Sequence, residues 1–510
     1  MPDGSRRRKG EEAQVFRGDT IAAIATPAGT GGIAIIRVSG PGARDVAESV
    51  FVPARAGSKS GDASGLYPAK GWVSKYGHVY DSSGDLVDEA VMTWMPGPSS
   101  YTREDVAEIS CHGGTAVARA VLQAVLEAGT RIAQPGEFTR RAFLNGRISL
   151  EQAEAVLSMI NARTERARRA ASSFLGGRLG AKVRHAREAI ISLMTLIEAS
   201  LDFPEEDIPD VALQEVADES ARIAGLLEEA LRDASRGRIL WEGASVAIVG
   251  RPNVGKSRLL NALLGEERAI VSESPGTTRD VVSEVASIRG IPIKLIDTAG
   301  MRDSADPVER SGVERARTAL QDADVALAVV DGSVPFHRAD VEIVAGTPEG
   351  HAIVVTNKCD LPKVLEDEDV QRIAAGRPCL RVSALTGEGL DSLEEGIEAM
   401  VLGEEGRGSR GVCPLHAAGE SGTRAVGGRS PIGMGLGQEG SELLGMRRED
   451  CLRRAAASLR DAARAVEEGM PPDMVSIDLR AAMDALGELT GETTREDIVD
   501  RVFAQFCVGK

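Results

Sequence analysis

At 510 residues the chain is too long for a single core, and about 100–200 residues per domain predicts roughly three domains. Hydrophobic content of 42% and charged content of 27% are globular values, and no apolar run reaches the ~18 residues of a membrane span. Sixty Lys and Arg face 77 Asp and Glu, a net charge of −17. That balance excludes nucleic-acid binding by the overall field and leaves it only to a local basic patch.

Met1 to Gly18 carries Arg6, Arg7, Arg8 and Lys9 without an apolar core, so it is no secretory signal, and 1–18 is expected to be a disordered extension. Residues 19–145 read as mixed α/β. Ile33-Ala34-Ile35-Ile36 is a short apolar run after a Gly-rich turn, and Val117 to Leu126 is apolar at helical spacing. From 146 to 240 the character is helical, with Leu150, Ala153, Leu157 and Ile160 on one face and Ile190, Met194, Ile197 and Leu201 on another. Asp202-Phe203-Pro204 breaks that helix. The densest basic run, Arg163, Arg166, Arg168, Arg169, Arg178, Lys182, Arg184 and Arg187, falls in this stretch and reads as a solvated helix face.

A second α/β unit, 241–401, opens with the strand Ser245-Val246-Ala247-Ile248-Val249. Residues 402–446 are Gly/Ser/Arg-rich and bury too little apolar surface to offset ordering entropy, which predicts a disordered linker or insertion. Helical patterning resumes over 447–510 with Leu479, Met483 and Leu486, then Ile498 and Val502. The economical architecture is an α/β domain inserted into a helical one. Six scattered cysteines (Cys111, Cys359, Cys379, Cys413, Cys451, Cys507) show no metal-ligand spacing and predict free thiols in a reducing cytoplasm.

Gly250-Arg251-Pro252-Asn253-Val254-Gly255-Lys256-Ser257 fits the phosphate-loop pattern GxxxxGK[ST] between a strand and a helix. Lys256 would neutralise the β and γ phosphates and the Ser257 hydroxyl would ligate Mg²⁺. Asp297-Thr298-Ala299-Gly300 follows the strand Ile291 to Ile296, as a Mg²⁺-linked switch should. Asn357-Lys358-Cys359-Asp360 follows Ile353 to Val355, and Asp360 can accept from guanine N1 and N2, which adenine does not match. Ser383-Ala384-Leu385 supplies the remaining base contact. Four such motifs in order define a GTP site. Met301 stands where many small GTPases carry a water-positioning Gln, so another group must orient the water. Glu309 is one acidic candidate; the alternative is a surface carboxylate. Asn253 places a side-chain oxygen in the phosphate loop, either for a monovalent cation or for a loop-stabilising hydrogen bond.

The chain ends Cys507-Val508-Gly509-Lys510, a thiol and an ammonium after an amphipathic helical pattern. Such a tail can enter a cavity and act on a ligand that the nucleotide site never touches; a packed cysteine and a solvated lysine is the alternative.

Several stretches together resemble the MnmE (TrmE) family of tRNA-modifying GTPases. They are Asp19-Thr20-Ile21, Ala25-Thr26-Pro27 to Arg37, Pro135-Gly136-Glu137-Phe138-Thr139, Arg141 to Gly146, Gln152 to Ala155, Gly276-Thr277-Thr278-Arg279-Asp280, Gly487 to Gly491 and Phe506 to Lys510. The resemblance covers nearly all of the chain except the first 18 residues and 402–446. It implies a mixed α/β N-terminal domain (19–145) that binds folate and dimerises, a discontinuous helical domain (146–240 and 447–510), and an inserted Ras-like P-loop GTPase domain (241–401). The nucleotide-binding set it implies is Asn253, Val254, Gly255, Lys256, Ser257 and Arg258; Ser272, Glu273, Ser274, Pro275, Gly276, Thr277 and Thr278; Asp297, Thr298, Ala299 and Gly300; Asn357, Lys358, Cys359 and Asp360; and Ser383, Ala384 and Leu385. Within it, Asn253, Ser272, Ser274 and Thr277 would hold K⁺, Ser257 and Thr278 would serve Mg²⁺, and Glu309 would orient water. Arg37, Glu108, Arg147 and Lys510 would form the folate site for 5,10-methylene- or 5-formyl-tetrahydrofolate. A homodimer working with the FAD-dependent partner MnmG (GidA) as a heterotetramer would add a carboxymethylaminomethyl or aminomethyl group at C5 of the tRNA wobble uridine. Cys507 would be essential to that step. Arg147 departs from the family's Lys, and its planar fork changes the contacts available. The competing class, an Era/Der-type ribosome-assembly GTPase, expects an RNA-binding module after the GTPase domain, and no GXXG-bearing KH pattern follows here.

Overall fold

The computed structural model describes residues 18–54, 68–202, 210–268, 283–297, 320, 323–348, 350–403, 441–491 and 496–510. They fall into two compact units. One comprises the first 157 residues with 179–217 and 461–510; the other comprises 158–178 and 218–460.

The first unit is built on a seven-stranded sheet. Its elements begin with β1 (Ile21–Ile24), β2 (Ile33–Ser39), α1 (Ala43–Val50), β3 (Phe51–Pro53), β4 (Val73–Tyr80), β5 (Leu86–Met95), β6 (Val106–His112), α2 (Thr115–Glu127), β7 (Arg131–Ile132) and α3 (Glu137–Leu144). Strand order is β3-β4-β5-β6-β2-β1-β7, antiparallel apart from the β1–β7 pair. The two-residue period of β2 sends Ala34, Ile36 and Val38 into a core shared with Val46 and Val50 of α1 and Val121 and Val125 of α2. The same period turns Arg37 to the opposite face, where it stands in register with Glu108 of β6.

The helices α4 (Leu150–Asn161), α5 (Glu165–Leu175), α6 (Arg178–Asp202) and α7 (Asp210–Glu242) follow. Leu150, Ala153 and Leu157 are buried as their spacing predicts, but Ile160, expected on the same face, is exposed at the frayed end of α4. The basic run is partly neutralised: Arg168 and Arg169 both bond Glu165, and Arg166 donates to Glu398 at 2.5 Å.

The second unit carries β8 (Ala244–Gly250), α8 (Lys256–Arg268), β9 (Ser283–Ile288), β10 (Ile291–Asp297), β11 (Val325–Asp331), α9 (Arg338–Ala345), β12 (Ala352–Asn357), α10 (Asp367–Ala374), β13 (Cys379–Arg381) and α11 (Leu390–Leu402). Its six strands run β13-β12-β11-β8-β10-β9, all parallel except the β9–β10 pair. β11 is buried at every position, as a central parallel strand covered on both faces must be. The chain continues through α12 (Ser441–Glu467), α13 (Pro472–Thr490) and α14 (Glu496–Phe503). The division between the units falls inside α4, α6, α7 and α12. α12 begins at Ser441, six residues inside the expected linker, while 404–440 lie outside the described residues. Composition read Gly445 as linker. Packing uses it, because a Cβ there would come within 2.6 Å of Arg238 Cδ on α7. Among the described residues no helix is long and apolar enough to cross a membrane.

One charge network ties the start of the first unit together. Arg131 donates to Asp19 Oδ2 and to Glu137 Oε1, each at 2.5 Å, and Arg141 donates to Asp19 Oδ1 at 2.7 Å, Glu137 at 3.0 Å and Glu104 at 3.2 Å. Glu137 is 1% exposed. Burial pushes its carboxyl up, but the Arg131 guanidinium, the Gln134 amide and Arg141 outweigh that and hold it below the usual carboxylate range. A carboxyl depressed in the folded state stabilises fully above its unfolded pKa of about 4.3 and loses that stabilisation as pH falls through the folded value. Glu137→Gln is therefore expected to destabilise this unit by about 3–5 kcal/mol at pH 7 in urea unfolding. The deficit should shrink as pH drops below about 4.3; a deficit independent of pH would contradict the ion-pair origin.

Candidate functional site

The nucleotide motifs converge at the carboxyl ends of the parallel strands, the edge where open α/β sheets bind ligands. β8 delivers Gly250 and α8 starts at Lys256, so the intervening loop wraps a helix N-terminus whose amides attract anions. A cavity of about 710 Å³ opens there, lined by Asn253, Gly255, Lys256, Ser257 and Arg258 on the phosphate side and by Asn357, Lys358, Asp360, Ala384 and Leu385 on the base side. Lys256 Nζ donates to the carbonyls of Gly250 at 3.0 Å and Arg251 at 2.7 Å, which holds the ammonium over the loop.

Asn357 joins the two halves. Its Nδ2 donates to Val254 O at 2.9 Å in the phosphate loop, and its Oδ1 accepts from Ala384 N at 3.0 Å in the base loop. Gly255, at φ +100°, passes so close that a Cβ would stand 2.3 Å from Asn357 Nδ2. Asp360 Oδ1 accepts from Ser383 Oγ at 2.5 Å, orienting a carboxylate that is exposed toward the cavity. Leu385 is likewise exposed at the cavity edge. Cys359 packs away, its amide bonded to Val382 O; burial and then Glu388 push its thiol up, so it stays protonated at neutral pH.

Asp297 closes β10 in register with Ile248 of β8, which brings its backbone beside the phosphate loop. Ser272, Glu273, Ser274, Pro275, Gly276, Thr277, Thr278, Thr298, Ala299, Gly300 and Glu309 lie outside the described residues. Two acids escaped the sequence reading. Asp331, 6% exposed, accepts from Lys358 Nζ at 2.5 Å; burial raises its carboxyl, but Lys358 and Ser333 outweigh burial and hold it low. Asp340, on α9, pairs with Arg251. Asp331 carried a signal: it ends an all-apolar strand at the ligand-binding edge of the sheet.

A second constellation forms in the first unit, where the chain end meets the first strands. Arg37 Nε donates to Glu108 Oε1 at 2.7 Å, and its Nη1 donates to Gly509 O at 3.3 Å. Its guanidinium lies over the rings of Phe138 and Tyr101, at 5.5 and 5.7 Å from their centroids, and the Arg147 guanidinium lies 4.6 Å from the Tyr101 centroid. Phe138 N donates to Lys510 O at 3.2 Å. All four expected folate residues thus gather around Tyr101 and Phe138, which the sequence reading missed because their partners lie far away in the chain. Phe503 and Phe506 bury beside Phe143 and fix the tail, leaving Cys507 exposed. Cys507 is the exposed thiol among the described cysteines; Cys111, buried, has its thiol pushed up to about 11.

Motif order, parallel sheet and cavity define a P-loop guanine-nucleotide-binding protein. A model of the MnmE helical domain matches residues 150–507, and a model of the GTP-binding protein TrmE N-terminus matches 20–147. The chain is 43% identical over 498 residues to the tRNA modification GTPase MnmE of Heliobacterium modesticaldum, covering 97% of this chain and all of that one. It is 45% identical over 492 residues to the tRNA modification GTPase MnmE of Chloroflexus aurantiacus and 40% over 494 to that of Bacillus subtilis, each with 96% of this chain and all of the relative covered. This chain belongs to the MnmE family, and it is a GTP hydrolase. Among solved structures, the G domain of the T. maritima FeoB iron transporter covers 31% of this chain and 98% of its own at 30% identity, with a TM-score of 0.25, too low to define a shared fold.

Gly255→Ala should weaken nucleotide binding while the protein stays folded, because the added methyl strikes the Asn357 amide that links the two loops. The expected loss is at least about tenfold in affinity for a fluorescent GDP analogue; parent-like affinity would show that the loop opens at no cost.

Proposed function

We propose that this GTPase modifies the wobble uridine of certain tRNAs, adding a carboxymethylaminomethyl or aminomethyl group at C5 with a tetrahydrofolate derivative as one-carbon donor and an FAD-dependent partner, MnmG. The observation that carries the reading is the docked chain end, with Gly509 and Lys510 against Arg37 and Phe138 and the thiol of Cys507 exposed beside them. The donor set suits a folate. Tyr101, partly exposed, offers a ring face, Glu108 accepts from pterin N–H groups, and Arg37, Arg147 and Lys510 supply positive charge for carboxylates. The folate, when bound, supplies the carbon that the base receives. Cys507 serves the uridine chemistry as a nucleophile or proton carrier.

The GTPase half runs on electrostatics. Lys256 and the loop amides neutralise phosphate charge, Ser257 and Thr278 hold Mg²⁺, and Asn253 with Ser272, Ser274 and Thr277 holds K⁺ in place of an external arginine. Glu309 orients the attacking water, the task that Met301 cannot perform. In the proposed architecture the GTPase domain is inserted into a discontinuous helical domain. The chain works as a homodimer: exposed Tyr76 and Val91, paired across β4 and β5, and exposed Trp72 support a sheet face open to a second copy. The described cysteines form no disulfide, which supports a cytoplasmic setting.

Cells whose only copy carries Cys507→Ser should lose the wobble-uridine modification by about 10²-fold or more, the scale of a positioned acid–base group, in nucleoside mass spectrometry of their tRNA. GTP hydrolysis by the purified variant should match the parent. Normal modification would overturn the role of the thiol, and unchanged nucleosides in cells lacking the protein altogether would overturn the function.

A further inference from the structure

Arg251 follows Gly250 directly, inside the phosphate loop, where the anions nearest to a guanidinium would be the nucleotide phosphates. The structure turns it the other way. Its Nε and Nη2 donate to Oδ1 and Oδ2 of Asp340 at 2.7 and 2.8 Å, a two-point fork that fixes position and orientation together. Asp340 is 2% exposed and Arg251 is 22% exposed at its side chain, so the pair is largely shielded from competing water.

The anchor itself is well held. Asp340 sits in the first turn of α9, after the His337 cap, where the helix dipole favours a carboxylate. α9 packs Val344 against Val249 of β8 and Val330 of β11, so the carboxylate is fixed to the strand that feeds the phosphate loop. The other end of Arg251 reaches the reactive side. Its carbonyl accepts from Lys256 Nζ at 2.7 Å, closer than the Gly250 carbonyl at 3.0 Å. One residue therefore carries the outward anchor on its side chain and the phosphate-binding lysine on its backbone.

We propose that Asp340 is a positioning residue for nucleotide binding: through Arg251 it sets the phosphate loop and Lys256 in the geometry that receives the phosphates, and it keeps the Arg251 charge off them. Two consequences distinguish this role from simple helix packing. The effect is on the ground state, shared by GDP and GTP, so affinity falls far more than turnover at saturation. It also passes entirely through Arg251, so the two residues are not additive.

The test is titration of fluorescent GDP and a fluorescent non-hydrolysable GTP analogue into Asp340→Asn, Arg251→Ala and the double variant of the full chain, alongside kcat at saturating GTP. Asp340→Asn keeps the size of the side chain and removes its charge. Each single variant should weaken both nucleotides about tenfold, and the double variant should be no weaker than either single one. The fall in kcat should be much smaller than the fall in affinity. Parent-like affinity in a folded Asp340→Asn protein would overturn the proposal, as would additive losses in the double variant. If Asp340→Asn does not fold, Arg251→Gln, at the more exposed end of the pair, carries the same measurement: tenfold weaker binding supports the proposal, and unchanged binding overturns it.

Discussion

The closure of the chain end onto the first strands is the constraint on which the second site depends. The bond from Arg37 to Gly509 spans 472 residues of sequence and joins the chain end to β2. Closing so long a loop is entropically mild, since the penalty grows only with the logarithm of length. Local contacts then decide the geometry. Phe503 and Phe506 supply the apolar grip, the Phe138 amide donates to the Lys510 carbonyl, and Cys507 and Val508 remain exposed. The tail is therefore packed as a structural element against the N-terminal sheet.

The same region carries two separate sets of charges. Arg131, Arg141, Asp19, Glu104 and Glu137 pair with one another around the start of α3. Arg37 and Glu108 form their own pair, separate from that network. Under the proposed function, the second pair exchanges partners with a ligand while the first network stays intact. In the GTPase unit a parallel division holds. Asp331 and Asp340 are buried acids that grip Lys358 and Arg251 from behind, while the cavity is lined by groups that meet nucleotide.

The nucleotide site was legible because its chemistry is written in contiguous motifs, each attached to a strand whose apolar run declares itself. Gly250 to Ser257, Asn357 to Asp360 and Ser383 to Leu385 line one cavity or its immediate walls, as their spacing led one to expect. Single residues whose partners are distant in sequence were not legible. Nothing near Asp340 marks it as the partner of Arg251, and Tyr101 and Phe138 look like ordinary aromatics until the fold stacks two arginines on them. The start of α12 was hidden for another reason: Gly445 counts against a helix by propensity, whereas its small size is what admits Arg238. The basic run in α5 was readable as charge, but its neutralisation by Glu165 and Glu398 was not.

In the proposed function the docked tail completes a folate site distinct from the GTP site. Gly509 is at φ +100°, and a Cβ there would lie 2.3 Å from Ile24 O and 3.0 Å from Ala25 Cα, so Gly509→Ala must lift the tail from the sheet without touching the GTPase unit. Calorimetric titration of this variant with 5-formyl-tetrahydrofolate, beside its GTP hydrolysis rate, tests the claim most directly. The prediction is a loss of folate affinity of about tenfold or more with hydrolysis intact. Parent-like folate binding would contradict it.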